Sequence, residues 1–286
     1  MEWTESLKRA VNYIEKHLLD DISIEDIAAD VYMSPFYFQK GFGIMTGYSV
    51  GEYIRMRRLY LSALDAVQSR EKVIDLAFKY GYSTPESFTR AFCRFHGVAP
   101  QQIRGDVAKI KVFLPLKITV NIQGGNEMDY TVEKMDKIQL IAFEKVFDFE
   151  TAYKEIPAFW DEVFARMASS GGTCDGKCIV SEFGVCIDDN PESGKFTYLI
   201  AGRYDGGVVP EGMRVFTLPG ATWAKFSSFG PLPGALQTIN TKIFKEWLPG
   251  NPDYELDGDI NVEWYSMGDM SSSWYESAIW IPVKKK

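Results

Sequence analysis

Asp75-Leu76-Ala77-Phe78-Lys79-Tyr80-Gly81-Tyr82-Ser83-Thr84-Pro85 is the stretch on which the reading of this chain turns. A short amphipathic run ends at a Tyr-Gly pair, and three residues on a hydroxyl followed by proline opens a new helix. Threonine accepts a hydrogen bond from an orphan N–H as N-cap, and proline suits the first helical position because its missing donor has no partner to lose. Helix, tight turn, helix is the helix-turn-helix arrangement. The same order occurs once before, at Ser34-Pro35. Ala28, Phe38, Phe42, Gly47 and Arg55 recur as Ala77, Phe88, Phe92, Gly97 and Arg104, offset by 49 or 50 positions, so the first half holds two copies of one small helical unit.

Helical periodicity says which faces are free. Phe88, Phe92 and Phe95 share one stripe, as do Phe38, Phe42 and Met45, and such stripes are buried. The opposite faces carry Glu86, Arg90 and Cys93, flanked by Thr89 and Arg94, and in the first copy Phe36 and Lys40, flanked by Gln39. Short polar and basic side chains near a helix start suit reading of the DNA major groove. An ordinary solvated face is the plainer alternative; two capped copies favour the groove. The joining helix, about 50 to 69, opens on a Ser49-x-x-Glu52 capping box, and its length of about 30 Å can hold two reading helices one duplex turn apart. Arg55, Arg57 and Arg58 are candidate phosphate contacts or plain surface charges. Gly41 and Gly43 make the first reading helix the softer of the two.

Composition agrees with two globular domains. The chain has 286 residues, 46% hydrophobic and 24% charged, which argues against disorder. No apolar run is long enough to span a membrane, and Met1-Glu2-Trp3-Thr4-Glu5 lacks the positive start of a signal peptide, so the expected location is cytoplasmic and no membrane partner is expected. The net charge of -8 is unevenly spread: residues 1 to 127 carry +1 and residues 128 to 286 carry -9, while residues 31 to 111 carry +6. A basic surface for phosphate beside an acidic partner domain gives such a split. Four cysteines are too few for a disulfide framework, and the Cys174/Cys178 pair has no histidine in its half of the chain. No metal, no cofactor and no histidine-based triad in the second half is expected.

The run from Asp75 to Ser83, continuing Phe88-Thr89-Arg90-Ala91-Phe92 and ending Gly97-Val98-Ala99-Pro100-Gln101-Gln102-Ile103-Arg104, resembles the signature of AraC/XylS-family transcriptional regulators over about residues 5 to 105. The resemblance implies an all-α domain of seven helices with two helix-turn-helix motifs entering successive major grooves of double-stranded DNA. The positions it implies as DNA contacts are Phe36, Gln39, Lys40, Pro85, Glu86, Thr89 and Arg90; Ser34, Thr84 and Arg55 complete the DNA-binding candidates. Pro85 cannot read a base by hydrogen bond, and Glu86 repels phosphate while being able to accept from cytosine, so no operator sequence carries over. RNA polymerase joins the candidate partners of such a regulator.

The expected division is 1–106 for the DNA-binding domain, 107–127 for a connector with a glycine hinge at Gly124-Gly125, and 128–286 for a second domain. There, alternating runs predict strands at about 129–135, 138–147, 179–187, 195–204, 213–218, 221–229, 259–267 and 275–283, with helices at about 151–168 and 233–247. The order strand, strand, helix, strand, strand occurs twice, and 179–183 aligns with 260–264 at an offset of 81. A duplicated α+β unit places a small-ligand site at its pseudo-twofold junction. Alternation sets Asn261, Glu263 and Tyr265 on one strand face among large aromatics. A carboxylate ringed by aromatic faces suits a lipophilic cation; a hydrogen-bonded strand carboxylate beside an aromatic core is the alternative.

Tyr130-Thr131-Val132-Glu133, Ile156-Pro157-Ala158-Phe159-Trp160, Phe183-Gly184-Val185, Tyr198-Leu199-Ile200-Ala201-Gly202, Pro219-Gly220-Ala221-Thr222-Trp223, Phe229-Gly230-Pro231, Glu263-Trp264-Tyr265 and Ile279-Trp280-Ile281-Pro282-Val283 together resemble the GyrI-like effector-binding fold over about 128 to 283. The resemblance implies a sensor of small amphipathic cations, with Glu263, Tyr153, Phe183, Phe229 and Tyr275 at the matching positions and Trp160, Tyr265 and Glu182 as additions. It also implies an alternative, since some stand-alone relatives resemble hydrolases using a glutamate and a tyrosine. A third reading makes the second domain an assembly module only. The expectation is a DNA-binding transcriptional regulator, not an enzyme, with its reader first and its sensor second.

Overall fold

The computed structural model describes residues 3–68, 71–104, 107–118, 128–169, 180–188 and 194–286. The Gly124-Gly125 hinge and the Cys174/Cys178 pair lie outside these residues. The chain forms two compact units, Met1–Met33 with Thr46–Asn121, and Ser34–Met45 with Ile122–Lys286. The division departs from the sequence expectation in two respects: the first reading helix falls in the second unit, and the expected connector belongs to the first unit as far as Asn121.

The first unit is all helical: α1 (Trp3–Lys16), α2 (Ile24–Asp30), α4 (Val50–Gln68), α5 (Val73–Lys79), α6 (Pro85–His96) and α7 (Pro100–Ile103), with α3 (Pro35–Thr46) belonging to the other unit. The caps fall where the residue types require them. Thr84 Oγ1 accepts from Ser87 N, and Gly97 closes α6 in the left-handed region at φ 79°. Ser49 and Glu52 form the reciprocal box at the start of α4. Leu59, Ala63 and Ala66 of α4 pack against Leu76, Ala77, Phe88, Phe92 and Ile103, which buries the predicted phenylalanine stripe of α6.

Gly81 sits in the α5–α6 turn at φ 79°, and a Cβ there would lie 2.6 Å from an Arg58 guanidinium nitrogen. That arginine donates to the carbonyls of Leu18 and Asp20, so it ties the end of α1 beneath the turn. At the equivalent place in the first copy stands Tyr32, also left-handed at φ 56°, with the Arg9 guanidinium over its ring. Left-handed backbone costs a side chain roughly 1–2 kcal/mol. Gly81→Ala is therefore expected to lower the unfolding free energy by about that amount, with a further cost for displacing Arg58; chemical denaturation checks it, and an unchanged midpoint contradicts it.

Beyond α7 the chain makes a 3-10 turn (Val107–Lys109) and then runs extended along the first unit. It is held: Phe113 packs its ring against Tyr48, Tyr53 and Phe95, its carbonyl accepts from Arg57, and Leu116 N donates to Tyr53 Oη. Lys111 N donates to His96 Nδ1, which leaves Nε2 as the donor to Leu59 O, and burial holds the imidazole pKa below its ordinary value.

Among the described residues, the second unit is built on one antiparallel sheet of nine strands: β1 (Tyr130–Met135), β2 (Ile138–Asp148), β3 (Phe183–Ile187), β4 (Lys195–Arg203), β5 (Arg214–Leu218), β6 (Ala221–Phe229), β7 (Tyr254–Leu256), β8 (Ile260–Tyr265) and β9 (Glu276–Lys285). Helix α8 (Ala152–Ser169) follows β2. Helix α9 (Gly234–Lys242) follows β6 and continues through a π-helical turn, Ile243–Trp247, into Leu248–Gly250. The order across the sheet is β1-β6-β9-β8-β3-β4-β2-β5, with β7 added on the end of β9. Exchanging β1, β2, β3, β4 for β5, β6, β8, β9 reverses this order onto itself, so the duplication read from the sequence is a pseudo-twofold whose axis passes between β3 and β8. The offset of 81 recurs in the elements: β2 ends at Asp148 and β6 at Phe229, β4 begins at Lys195 and β9 at Glu276, and Phe183 stands directly opposite Trp264, as a twofold through that pair requires. The strand extents differ, since of 180–183 only Phe183 lies in a strand. Strand β7 escapes the sequence pattern because three residues cannot show a period.

Register sorts the side chains. Leu140, Ala142, Phe183, Val185, Leu199, Ala201, Trp223, Val262 and Trp280 form a core on one face. The other face carries Phe147, Phe196, Tyr198, Phe226 and Ile279, and both helices lie on it, with Phe159 of α8 against Phe147 and Trp247 of the π turn against Phe226.

Candidate functional site

The predicted carboxylate lies beside the pseudo-twofold axis. Glu263 on β8 stands opposite Gly184 on β3, on the face that carries the helices. Its Oε2 accepts from Tyr198 Oη at 2.7 Å and from Tyr265 Oη at 2.8 Å. Trp160 of α8 donates from Nε1 to Tyr198 Oη at 3.1 Å and meets the Tyr265 ring edge-on at 5.2 Å. Burial, and after it the Glu263 charge, push the phenols of Tyr198 and Tyr265 well above their ordinary range, so both stay protonated and donate. Cys186, next along β3 on this face, is buried and its thiol is pushed up to about 12, which makes it an inert wall.

Gly184 makes this arrangement possible. A Cβ there would lie 2.2 Å from Tyr198 Oη and 2.8 Å from Glu263 Oε2, so the space over the glycine is where carboxylate and phenol meet. Ser277, opposite Tyr265 in the ladder, has a fully buried hydroxyl with no hydrogen-bond partner among the described residues. It is an unused donor on the strand face that carries Glu263. Two anionic oxygens, two fixed phenols and an indole can neutralise and enclose a compact organic cation.

Of the effector candidates, the structure gathers Glu263, Tyr265 and Trp160. Phe183 lies on the opposite face, fully buried against Trp280, because strand alternation turns it away from its neighbour Gly184. Glu182 is taken up by Arg203 and by the Trp264 indole N–H. Phe229 and Tyr153 are exposed, and Tyr275 is buried with its hydroxyl on the Ser266 carbonyl. No contact places these three on Glu263. The residues that sequence reasoning missed are Tyr198, Gly184 and Ser277. Each lies in a predicted strand, but only the pairing of β3, β4, β8 and β9 brings Tyr198 and Gly184 to the carboxylate and sets Ser277 opposite Tyr265. Among the described residues no cluster could hold a metal ion, and no helix is long and apolar enough to cross a membrane.

The DNA-contact candidates divide between the two units. On α6 the side chains of Glu86 and Arg90 are exposed and Thr89 is half-buried, with Thr84 exposed as the N-cap; Arg55 on α4 is exposed too. Arg57 and Arg58, in contrast, are spent on internal bonds to Glu15, Phe113, Leu18 and Asp20. In the second unit α3 runs unbroken through Gly41 and Gly43, with Ser34 Oγ accepting from Tyr37 N. Its predicted free face is covered: Phe36 is 1% and Gln39 9% exposed. The Phe36 ring packs against Phe149 and Phe196, Tyr37 Oη donates to Ile260 O at 2.8 Å, and Lys40 Nζ donates to Asn261 Oδ1. An aromatic at position 36 made that face as suitable for a protein surface as for DNA.

These features define a helix-turn-helix domain joined to a duplicated α+β ligand-binding fold. The helix-turn-helix domain model matches residues 15–106, and the integron-associated effector binding protein model matches residues 131–283, more than half of the chain. The chain belongs to that effector-binding family and carries an AraC-type helix-turn-helix domain ahead of it. It is 35% identical over 104 residues to the uncharacterised HTH-type transcriptional regulator YbfP of Bacillus subtilis and 33% identical over 92 residues to the right origin-binding protein of Escherichia coli. These matches cover 36% and 32% of this chain, and only 35% and 32% of those relatives. Among solved structures, SAV2435 bound to tetraphenylphosphonium is similar with a TM-score of 0.47 and 22% identity, over 55% of this chain and 94% of that one.

Proposed function

We propose that the protein is a DNA-binding transcriptional regulator whose second domain binds a small amphipathic, cationic effector. The observation that carries the effector reading is the Glu263 carboxylate held by two protonated phenols beside an indole. Such a group offers a full negative charge in an aromatic frame, while the fixed phenols leave little to reorganise on binding. DNA recognition rests on the capped α6, its exposed Arg90 and Thr84, and the relatives' helix-turn-helix character. Binding to duplex DNA, with RNA polymerase as a further partner, belongs to the same proposal.

Glu263→Gln is expected to weaken hydrophobic cations by roughly 1–3 kcal/mol, about five- to 150-fold, and to spare neutral ligands of similar size. Tryptophan fluorescence titration with tetraphenylphosphonium and a neutral tetraphenyl compound measures both; equal loss for the two contradicts the reading. Hydrolysis is the second reading, with Glu263 and Tyr265 as its residues. The raised Tyr265 phenol, bonded to the carboxylate, favours holding a cation over supplying a nucleophile. Chromatographic recovery of candidate ligands after incubation decides between them: consumption supports hydrolysis, and quantitative recovery supports the sensor. Fluorescence unchanged by every hydrophobic cation tried supports a domain used for assembly.

A further inference from the structure

We propose that the effector-binding unit carries α3 as an autoinhibitory occupant, and that a cation seated on Glu263 drives α3 off. This inference rests on the effector reading above and adds its regulation.

Helix α3 is bound as a ligand would be. Phe36 is the anchor, buried against Phe196 of β4 and against Phe149, which precedes α8. Tyr37 lies against Phe244 of the π turn and spends its hydroxyl on the Ile260 carbonyl of β8. Lys40 is bonded to Asn261, which is fully buried and turns its Nδ2 to Trp280 O. The side chains that the helix-turn-helix resemblance assigns to DNA are the ones this docking consumes: Phe36 is packed on Phe149 and Phe196, Gln39 is buried and Lys40 is bonded to Asn261, so none of them can meet a duplex while α3 is docked.

The ligand site and the docking site share a strand face. Asn261 and Glu263 are two residues apart on β8 and point the same way, about 7 Å apart along the strand. Cys186, the β3 partner of Asn261, is buried on this same face, and its thiol feels Lys40 and Glu263 with opposite sign, so both charges reach one poorly solvated spot. In the empty site the Glu263 charge favours the Lys40 ammonium. A bound cation cancels that charge and leaves two cations as near neighbours, so ligand and docked α3 weaken each other. The coupling is reciprocal: whatever loosens α3 must tighten the cation by the same factor.

The test uses the full chain, tetraphenylphosphonium and a duplex selected for binding. Tyr37→Phe keeps the ring and removes the bond to Ile260, and Tyr37 is outside both the carboxylate site and the DNA-contact set. Losing one such bond is expected to tighten phosphonium binding about three- to tenfold, and to raise ligand-free DNA affinity by a similar factor. Phosphonium saturation is expected to speed hydrogen exchange in α3 and leave α6 unchanged. Should Tyr37→Phe fail to fold, Lys40→Met reads the same coupling through phosphonium affinity alone. Wild-type protein that binds phosphonium, with affinity unmoved by either substitution and α3 exchange unmoved by ligand, overturns the inference and leaves the effector reading standing. Fast α3 exchange in ligand-free protein overturns it as well. Wild-type protein that binds no phosphonium removes the effector reading first, and this inference with it.

Discussion

DNA binding by the full chain is expected to weaken about a thousandfold between 50 and 200 mM salt, the change that a log-log slope near -5 produces when about six phosphates are neutralised. The cations available for this are fewer than the charge count of the first half suggests. Lys79 is paired with Asp65, and Arg57 and Arg58 are consumed inside the helical unit. Arg55, Arg90 and Arg94 stand exposed on α4 and α6. Lys40 joins them only when α3 is off the sheet, which adds about one unit to the slope in the presence of a cationic effector. Fluorescence anisotropy of a labelled duplex across salt concentrations measures the slope, and a flat response contradicts the DNA-binding proposal outright.

Arg57→Ala is expected to cost the helical unit about 3–5 kcal/mol of unfolding free energy. Sequence reading leaves Arg57 as a phosphate contact or a surface charge; in the fold it is neither. Its Nε and Nη2 grip the two Glu15 oxygens at 2.8 Å each, its third nitrogen reaches the Phe113 carbonyl, and only 5% of its side chain is exposed. Tyr53 Oη adds a 2.7 Å bond to the same carboxylate. Removing the guanidinium leaves Glu15 half-sheltered without its cation, and frees the extended chain at 110–116 from its clasp. Arg57→Lys keeps the charge but not the two-pronged geometry, so an intermediate loss is expected. Replacing both partners, Glu15→Gln with Arg57→Met, is expected to recover much of the stability, because no unpaired charge remains. Urea denaturation of the four proteins checks this order; a single Arg57→Ala variant as stable as wild type contradicts it.

How far the sequence reaches is visible in three places. The capping residues Ser34, Ser49 and Thr84, the turn at Gly81, and the alternation of β1 to β6, β8 and β9 are local signals. Each depends on interactions within a few residues, so composition and spacing reveal them without any knowledge of the fold. Glu263 and Tyr265 could be paired for the same reason, being two apart on one strand. Tyr198 and Gly184 could not, since their place beside Glu263 follows from strand pairing across 65 and 79 positions.

The sequence by itself therefore determined that there are two helix-turn-helix copies, a duplicated α+β domain and a carboxylate among aromatics, because periodicity and capping are short-range physics. Only the tertiary structure decided which polar side chains remain free to act. Arg57 went to Glu15, Phe183 to the far face of the sheet, and Phe36, Gln39 and Lys40 to a buried surface on β4 and β8. A side chain's local pattern fixes which face of its helix or strand it occupies. What covers that face is settled by elements far away in the chain.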